Sequence, residues 1–392
     1  MKGILGGFWR VAGVWLLVLA GACGPAAGAP AGVRGGEAGG AAGAASAPAG
    51  GAAPASAAPS GLQALVEGAR KEGALSFVWG EGTVGGSDGV RRLAEGFNRY
   101  YGLNLDVRFT PGPSMAEMAP KVVQEYQAGR PASTDIVVGY ANHMYTLMQG
   151  DALPAIDWAS WATNVQDPRL VAPGGGAVTF QSSMQGITYN TQRVRPDEVP
   201  RSMEALLEPR YKGRVASTPY ASGFDRLAIP ERWGEQRTRE YAARLADQVA
   251  GLIRCNEKER LLSGEFDIFA LDCSHSDAFR MRAQGAPIDF VMASDAPFVL
   301  LLYMGIPKNA PHPNAARLWA NYLLSREAQD FMYESDFSDT HLLEGSRTAP
   351  LIREREAAGS QILYVDVQFY QTHDEALLNK SLSEIQRILQ KR

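Results

Sequence analysis

The distribution of charge divides this 392-residue chain into two parts that cannot fold alike. Residues 1–60 contain only four charged side chains, although the whole chain has 38 Lys or Arg and 42 Asp or Glu residues. From Gly24 to Ser60, 34 of 37 residues are Gly, Ala, Pro or Ser. Such a composition buries too little apolar surface to offset the entropy lost on ordering. The sequence therefore predicts a disordered tether over residues 23–60 and a folded body over residues 61–392.

The body has the charge content of an ordinary globular protein, and its length suits two domains of 100–200 residues each. The net charge of the chain is −4. Binding to nucleic acid usually requires a clustered excess of basic residues, and the basic residues here are scattered among acidic ones. We therefore expect no nucleic-acid partner.

Residues 1–22 have the pattern of an export signal. Lys2 and Arg10 precede or begin an apolar run that is too short to span a bilayer, and small residues follow it. The sequence Leu19-Ala20-Gly21-Ala22-Cys23 resembles the lipobox of bacterial lipoproteins, although Ala20 stands where that motif most often has Leu. The resemblance implies a lipid on Cys23 and a membrane anchor. The alternative is an ordinary cleavage site that releases the protein.

Strand-like and helix-like patterns alternate along the body. Predicted strands at 74–79, 103–109 and 134–138 alternate with predicted helices at 62–72, 87–101, 116–128 and 142–149. A strand is predicted at 177–189, a second alternating set at 202–284 that begins with a helix at 202–207, a strand at 288–304, and helices at 314–324, 327–334 and 379–390. This order predicts an α/β fold with largely parallel sheets whose faces are covered by helices.

The loop after the first predicted strand matches two functional motifs. Residues 80–85 fit G-x-G-x-x-G, but the acidic residue expected at the end of the next strand of a dinucleotide site is missing. Ser87 occupies the centre of G-x-S-x-G, but seven residues separate it from Trp79, whereas a nucleophile elbow needs a tight turn. We expect no cofactor, and an exported hydrolase that uses Ser87 stays as the alternative function.

The sequence favours a disulfide and no metal site. The five His residues share no metal-ligand spacing. Tyr100 and Tyr101 resemble the paired tyrosines of ferric-iron sites, but they end a predicted helix, where aromatic packing is expected. Cys255 and Cys273 each follow a predicted strand, and in an exported protein such a pair favours a disulfide over two buried thiols.

Five short sequence segments occur in order along the body, at residues 65–73, 186–191, 206–215, 263–268 and 310–319. Together they resemble the extracellular solute-binding proteins of bacterial ABC importers, in the branch that includes ferric-iron, thiamine, polyamine and aminoethylphosphonate binders. The resemblance implies a periplasmic-binding-protein type II fold, in which two doubly wound α/β domains are joined by two hinge strands and C-terminal helices follow. It places domain 1 at 61–185 plus 300–392, domain 2 at 186–299, and the crossings at 180–189 and 291–302.

The resemblance also implies a function without covalent chemistry. The family closes its two domains on a small solute and delivers that solute to a membrane permease, so we expect a binding subunit and no enzyme. The expected partners are the solute, the ABC permease subunits and, through Cys23, the membrane. A ligand-sensing subunit of a signalling system would have the same sequence features.

Physical reasoning places the solute beyond the carboxyl ends of the strands, where helix N-termini present unpaired N–H groups. On those loops and near the crossings, the predicted ligand-binding residues are Trp79, Glu81, Gly82, Ser87, Tyr140, Asn142, Tyr189, Thr218, Tyr220, Ser222, Asp272, Ser274 and Asp295.

The class of solute is left open by these residues. The two acids Glu81 and Asp272, together with aromatic side chains, suit an amine through charge pairing and cation–π contact. The helix N-termini suit a small organic anion instead. Ferric iron is disfavoured, because no tyrosine pair falls in the predicted second domain.

Overall fold

The computed structural model describes residues 61–390, so the predicted export signal, Cys23 and the tether lie outside the described residues. The α-helices are α1 (Gly61–Glu72), α2 (Gly86–Tyr101), α3 (Met115–Gln127), α4 (Ala141–Gln149), α5 (Phe224–Leu227), α6 (Gly234–Gln248), α7 (Glu259–Leu262), α8 (His275–Ala283), α9 (Pro313–Leu323), α10 (Arg326–Asp336), α11 (Ala349–Ala357), α12 (Val367–Thr372) and α13 (Glu375–Gln390). The strands are β1 (Ala74–Trp79), β2 (Asp106–Pro111), β3 (Val137–Tyr140), β4 (Ala177–Asn190), β5 (Val215–Ser217), β6 (Val249–Leu252), β7 (Ile268–Asp272), β8 (Ile288–Val291), β9 (Phe298–Gly305) and β10 (Leu363–Val365).

The first half of the body is built on β1, β2, β3, β9 and the start of β4. Strands β1 and β2 are parallel, and Phe77 of β1 forms a parallel bridge with Ile136 just before β3. Strand β9 is antiparallel to β3 along one edge and to residues 177–185 of β4 along the other, while β10 pairs with its first residues. Trp319 of α9 packs against Phe77 and Phe97 in the core of this half.

The second half of the body is built on the end of β4 and on β5 to β8. Residues 186–190 of β4 lie between β7 and β8 and are antiparallel to both. Beyond β7 come β5 and then β6, each parallel to its neighbour. Strand β4 thus changes partners between Gln185 and Gly186, and it is shared by the two halves.

The sheets are less uniformly parallel than the sequence predicts. The alternating sets behave as expected, since β1 with β2 and β7 with β5 and β6 are parallel. The long strands β4 and β9 run antiparallel to each other because they carry the chain between the halves in opposite directions. A pattern of helical and strand periodicity does not reveal such a reversal.

The strand predicted at 288–304 is two strands, β8 and β9, separated by residues 292–297. Asp295 lies in that break, and its carboxylate accepts hydrogen bonds from the backbone N–H groups of Met203 (2.7 Å) and Glu204 (3.1 Å). It thereby caps a 3₁₀ turn, Glu204–Leu207, where the sequence predicts an α-helix. Pro209 follows that turn and limits its length.

Residues 345–378 contain three elements that the sequence patterns do not predict: α11, β10 and α12. Strand β10 has three residues and α12 has six, which is too short for a periodic pattern. Within the described range, no helix is long and apolar enough to cross a membrane.

Candidate functional site

A cavity of about 170 Å³ lies between the two halves, and we call it the cleft cavity. The first half contributes the loop after β1, the end of β3, and parts of β4 and β9. The second half contributes the N-terminal turns of α8. Its lining includes Gly82, Thr83, Val84, Met115, Tyr140, Gln181, Ser183, Ser274, Ser276, Asp277, Arg280, Leu302, Asp336 and Ser338.

Hydroxyl groups from both halves meet in the wall of the cleft cavity. Ser183 of β4 donates a hydrogen bond to Ser274 Oγ (2.9 Å), and Ser274 caps α8 by accepting from the backbone N–H of Ser276 (3.1 Å). Tyr140 is also hydrogen-bonded to Ser183, and burial raises the pKa of its phenol. This side of the cavity therefore presents neutral groups that both donate and accept hydrogen bonds.

Two carboxyl groups and one guanidinium carry the charge of the cleft cavity. Asp277 forms an ion pair with Arg280 on the same helix. Asp336 lies at the end of α10, and burial raises its pKa even though Arg280, Gln181 and the backbone of Gly85 act to lower it. The lining therefore has two carboxyl groups and one guanidinium, and the guanidinium is already paired with Asp277.

Beneath Asp277, a buried lysine links the cleft to the second sheet. The Lys258 ammonium lies 3.2 Å from Asp277 and 3.0 Å from Asp272, and its side chain is 2% exposed. Asp272 also accepts a hydrogen bond from Thr188 (2.6 Å), and burial raises its pKa against the opposing effect of Lys258. A further cavity of about 500 Å³ shares Gly82, Asp277 and Arg280 with the cleft cavity and continues it toward Lys258.

Cys255 and Cys273 form a disulfide, with their Cα atoms 5.9 Å apart. The sequence places these residues after neighbouring strands, but β5 lies between β6 and β7, so the disulfide passes over the end of β5. Tyr220, in the loop after β5, donates a hydrogen bond to Cys255 Sγ (3.0 Å). Cys273 directly precedes Ser274, so the disulfide restrains the loop that leads to the cleft cavity.

Another cavity, of about 290 Å³, lies near the same cleft, and we call it the side cavity. Arg226 in its wall donates to Gln185 (3.1 Å), which in turn donates to Ser222 Oγ (2.8 Å). The side cavity is lined by Asn142, Tyr220, Ser222, Asp225 and Arg226 and, from the C-terminal helices, by Tyr370, Glu375 and Asn379, among others.

This arrangement has a counterpart among known proteins. A family model described as bacterial extracellular solute-binding protein matches residues 134–367, which is more than half of the chain. The chain belongs to this family. None of the curated proteins compared with this solute-binding protein matches it.

Solved structures share the fold of this solute-binding protein. A substrate-binding protein of an ABC transporter from Agrobacterium tumefaciens is similar with a TM-score of 0.64 and 15% identity, over 82% of this chain and 96% of that one. A putative spermidine/putrescine ABC transporter from Listeria monocytogenes gives 0.60 and 16%, over 82% and 100%. The Trichodesmium protein IdiA (FutA), in complex with iron and citrate, gives 0.60 and 17%, over 81% and 99%. At these identities the likeness shows the fold, which is of the periplasmic-binding-protein type II class.

The predicted ligand-binding residues of this solute-binding protein fall into three groups. Gly82, Tyr140 and Ser274 line the cleft cavity. Asn142, Tyr220 and Ser222 line the side cavity. The remaining seven line neither of these cavities: Trp79, Glu81, Ser87, Tyr189, Thr218, Asp272 and Asp295.

Several of those seven side chains pack in the core or form hydrogen bonds and ion pairs within the protein. Trp79 is 2% exposed and packs against Phe77 and Phe109. Thr218 is buried, and its hydroxyl accepts a hydrogen bond from the backbone N–H of Ser222 (2.8 Å). Asp272 is held by Lys258, and Asp295 caps the turn at 204–207. Tyr189 lines a separate cavity of about 230 Å³ beside β8 and α11.

The glycine-rich loop is folded on itself. Glu81 accepts hydrogen bonds from the backbone N–H (2.8 Å) and the hydroxyl (3.0 Å) of Ser87, so its carboxylate satisfies one of the free N–H groups in the first turn of α2. A Cβ atom added at Gly80 or Gly82 would meet nothing within 4 Å, whereas Gly86 has a φ of +63° and lies against Glu81. The first two glycines of the motif therefore face open space.

The sequence patterns miss the contribution of β4 and of the segment after α10. Gln181 and Ser183 lie in β4, and Asp336 and Ser338 lie at and after the end of α10. The run Gln181-Ser182-Ser183 is a signal that was available, because three consecutive polar residues are unusual in a strand buried along its whole length. For Asp336 we find no such signal, since it ends an amphipathic helix like many surface acids.

The usual metal-binding side chains do not cluster within the described residues. Between residues 61 and 390, no group of three or more His, Cys, Asp or Glu side chains is placed to bind a metal ion. Tyr100 and Tyr101 pack edge to face at the end of α2, and the Tyr101 hydroxyl accepts a hydrogen bond from Asn321 (2.8 Å). Tyr101 packs against the core while partly buried, Tyr100 is exposed, and neither lines the cleft cavity.

Proposed function

We propose that this protein is the solute-binding subunit of an ABC importer, which captures a small solute in the cleft cavity and delivers it to a membrane permease. The observation that supports this most is the cavity itself, because its polar lining comes from both halves of the body. A solute there contacts both halves at once, so it stabilises the state in which they are close together.

The domain division follows from the same strands. We propose a first domain at 61–185 plus 300–392 and a second domain at 186–299. Strand β4 changes partners between Gln185 and Gly186, which supports the first crossing. Residues 292–297, between β8 and β9, are the second place where the chain passes between the halves, and we propose them as the second hinge. Bending at these two places would change the width of the cleft.

We propose that the solute carries an amine. The lining of the cleft cavity contains Asp277 and Asp336 against a single guanidinium, which Asp277 already neutralises. An ammonium group would pair with the carboxylate of Asp336, and the hydroxyls of Ser183 and Ser274 would accept its hydrogen bonds. A small anion at the N-terminus of α8 is the competing class.

Calorimetry on the full chain, freed of ligand by unfolding and refolding, tests the function and the class. The probes are 1,4-diaminobutane, succinate and ethylphosphonate. We expect the diamine to bind and Asp336→Asn to weaken it at least tenfold. The exposed Asp247 of α6 provides the matched control, and Asp247→Asn should leave the affinity unchanged. Binding of the anions in place of the diamine would contradict the amine class. An Asp336→Asn variant with the affinity of the wild type would contradict the site.

The competing enzymatic function depends on Ser87. Its hydroxyl donates to Glu81, and within residues 61–390 it forms no hydrogen bond with a histidine, which a serine nucleophile requires. In a binding protein, Ser87→Ala leaves solute affinity within a few-fold of the wild type. Complete loss of an ester-hydrolysing activity on the same substitution would instead establish the hydrolase.

Membership in an extracellular family makes this an exported protein. We further propose that Cys23 is lipidated after cleavage at residue 22, so that residues 24–60 tether the body to the membrane surface. Mass spectrometry of the mature N-terminus tests this, and an unmodified N-terminus would show release. Association with a permease, as opposed to a sensor kinase, is tested by measuring solute uptake in cells that lack the gene.

A further inference from the structure

The last 30 described residues join the two halves of the body for a third time. We call residues 361–390 the C-terminal strap. On the first half, β10 pairs with β9, and α12 packs against α4, where the rings of Tyr145 and Tyr370 stack 6.5 Å apart. On the second half, α13 packs along α6 and α5.

Polar contacts fix the strap to the second half along its length. Arg232, before α6, donates to the carbonyl of Gln361 (2.6 Å), and Arg239 of α6 pairs with Glu384 of α13 (3.1 Å). Leu378, Ile385 and Leu389 of α13 are at most 6% exposed and belong to the same hydrophobic core as α6. This attachment is therefore a packed interface supported by an ion pair and a hydrogen bond, and it is more than a surface contact.

The end of the strap also holds a loop of the side cavity. Gln386 donates to the carbonyl of Tyr220 (3.1 Å), and Gln390 donates to the carbonyl of Pro219 (2.8 Å). The same loop is tied from its other side, where the Tyr220 hydroxyl contacts Cys255. Two amide side chains of α13 thus satisfy backbone acceptors in the segment that carries Ser222.

We propose that the C-terminal strap is a latch that limits how far the two halves separate when no solute is bound, and that Gln386 and Gln390 are positioning residues for the loop at 219–222. With only two connections, at 185–186 and 292–297, the two halves could bend about the line that joins these points. A third connection that is packed on both halves opposes that bending, because opening must stretch the strap or separate α13 from α6. The latch bears on the proposed function, but its test needs no solute, so each can fail independently.

The test measures the distance between the halves in the solute-free full chain. Spin labels are attached to Glu95→Cys on α2 and Lys212→Cys before β5, in a Cys23→Ser background without reductant. We expect a single narrow distance distribution for the parent. Truncation after Thr372 should broaden it by several ångströms toward longer distances. A folded truncated chain with the parent's distribution would overturn the latch, and if that chain does not fold, Leu389→Ala replaces it with the same two outcomes.

The positioning role is tested by hydrogen exchange at residues 219–222. In Gln386→Ala/Gln390→Ala we expect exchange at least tenfold faster than in the parent, with α6 unchanged. The control is Gln368→Ala, which alters an exposed glutamine of α12 and should leave exchange in this loop as it is. Equal exchange in the double variant and the parent would overturn the positioning role.

Discussion

Lys258 shows how strongly one residue can depend on its partners. Its ammonium is buried between Asp272 and Asp277 and also donates to the carbonyl of Cys255 (2.6 Å). We expect Lys258→Met to lower the free energy of unfolding by about 3–5 kcal/mol, because it leaves the buried Asp272 without its cation. Urea unfolding of the variant measures this loss.

A second substitution separates this ion pair from general damage to packing. In Lys258→Met/Asp272→Leu the uncompensated carboxylate is gone, so much of the lost stability should return. A double variant that is less stable than Lys258→Met would show that Asp272 stabilises the fold without its cation, through its hydrogen bond with Thr188.

His275 makes stability depend on pH. It is fully buried, accepts a hydrogen bond from the backbone N–H of Met184 at Nδ1 (3.2 Å), and burial lowers its pKa to about 4. The unfolded chain, with an ordinary pKa near 6.5, binds the proton first, so stability is lost as the pH falls from about 6.5 toward 4. Between pH 7 and pH 5 this group alone accounts for about 2 kcal/mol.

Urea unfolding at pH 7 and pH 5 measures this effect. In His275→Gln the loss between the two pH values should shrink by about 2 kcal/mol. Part of the dependence should persist, because burial also lowers the pKa of His143 and His341 to about 4. An unchanged pH dependence in His275→Gln would show that His275 is protonated in the folded protein.

At the level of single residues, the sequence predicts loops better than side-chain roles. The loops after β1, β3, β5 and β7 do border the cleft or side cavity, because the carboxyl ends of strands share an edge. The position of an acid in the sequence does not reveal whether its side chain faces solvent or a buried cation. Asp272 forms an ion pair with the buried Lys258, whereas Asp336, which lies on no such loop, lines the cleft cavity.

Among the elements, β5, β6 and β7 depend on the disulfide that spans them. Cys255 and Cys273 are 18 residues apart in sequence, and closing a loop of that size stabilises a fold by about 3 kcal/mol in the chain-entropy model. We expect Cys255→Ser/Cys273→Ser to lose about that much stability in guanidinium unfolding. The reduced wild-type protein is the control and should unfold like the variant.

Mass spectrometry with and without reductant checks the same bond directly. Two thiols that react with an alkylating reagent in the folded, oxidised protein would contradict the disulfide. Equal stability of the variant and the wild type would show that the ends of β6 and β7 are held by other contacts, such as those of Tyr220.

Elements with strong local signals are predictable from this sequence. Helix α1 and strand β1 appear at 61–72 and 74–79, within a residue of the prediction, because an amphipathic pattern ends at Gly73. Strand β10 and the break between β8 and β9 are not predictable in this way. The first has three residues, and the second is caused by Asp295, whose partners lie about 90 residues earlier in the chain.

At the scale of the whole molecule, Gly186 is the point at which β4 leaves one sheet for the other. A Cβ atom there would lie 2.4 Å from the carbonyl oxygen of Val291 and 2.7 Å from the ring of Phe290. Strand β4 is held on its other side by β7, and β8 packs against α8, so neither strand can move away without disturbing its neighbours. We therefore expect Gly186→Ala to lower the free energy of unfolding by about 1–3 kcal/mol, as overpacking does.

The same substitution should reach beyond its own site, because both halves depend on this strand. The amide protons of residues 177–190 should exchange faster on both sides of Gly186, in β9 as well as in β7. The control is Gly80→Ala, where an added Cβ meets nothing within 4 Å, and it should change stability by less than about 0.5 kcal/mol. Faster exchange confined to β7 and β8 would show that the halves unfold independently, and that β4 connects them without coupling them.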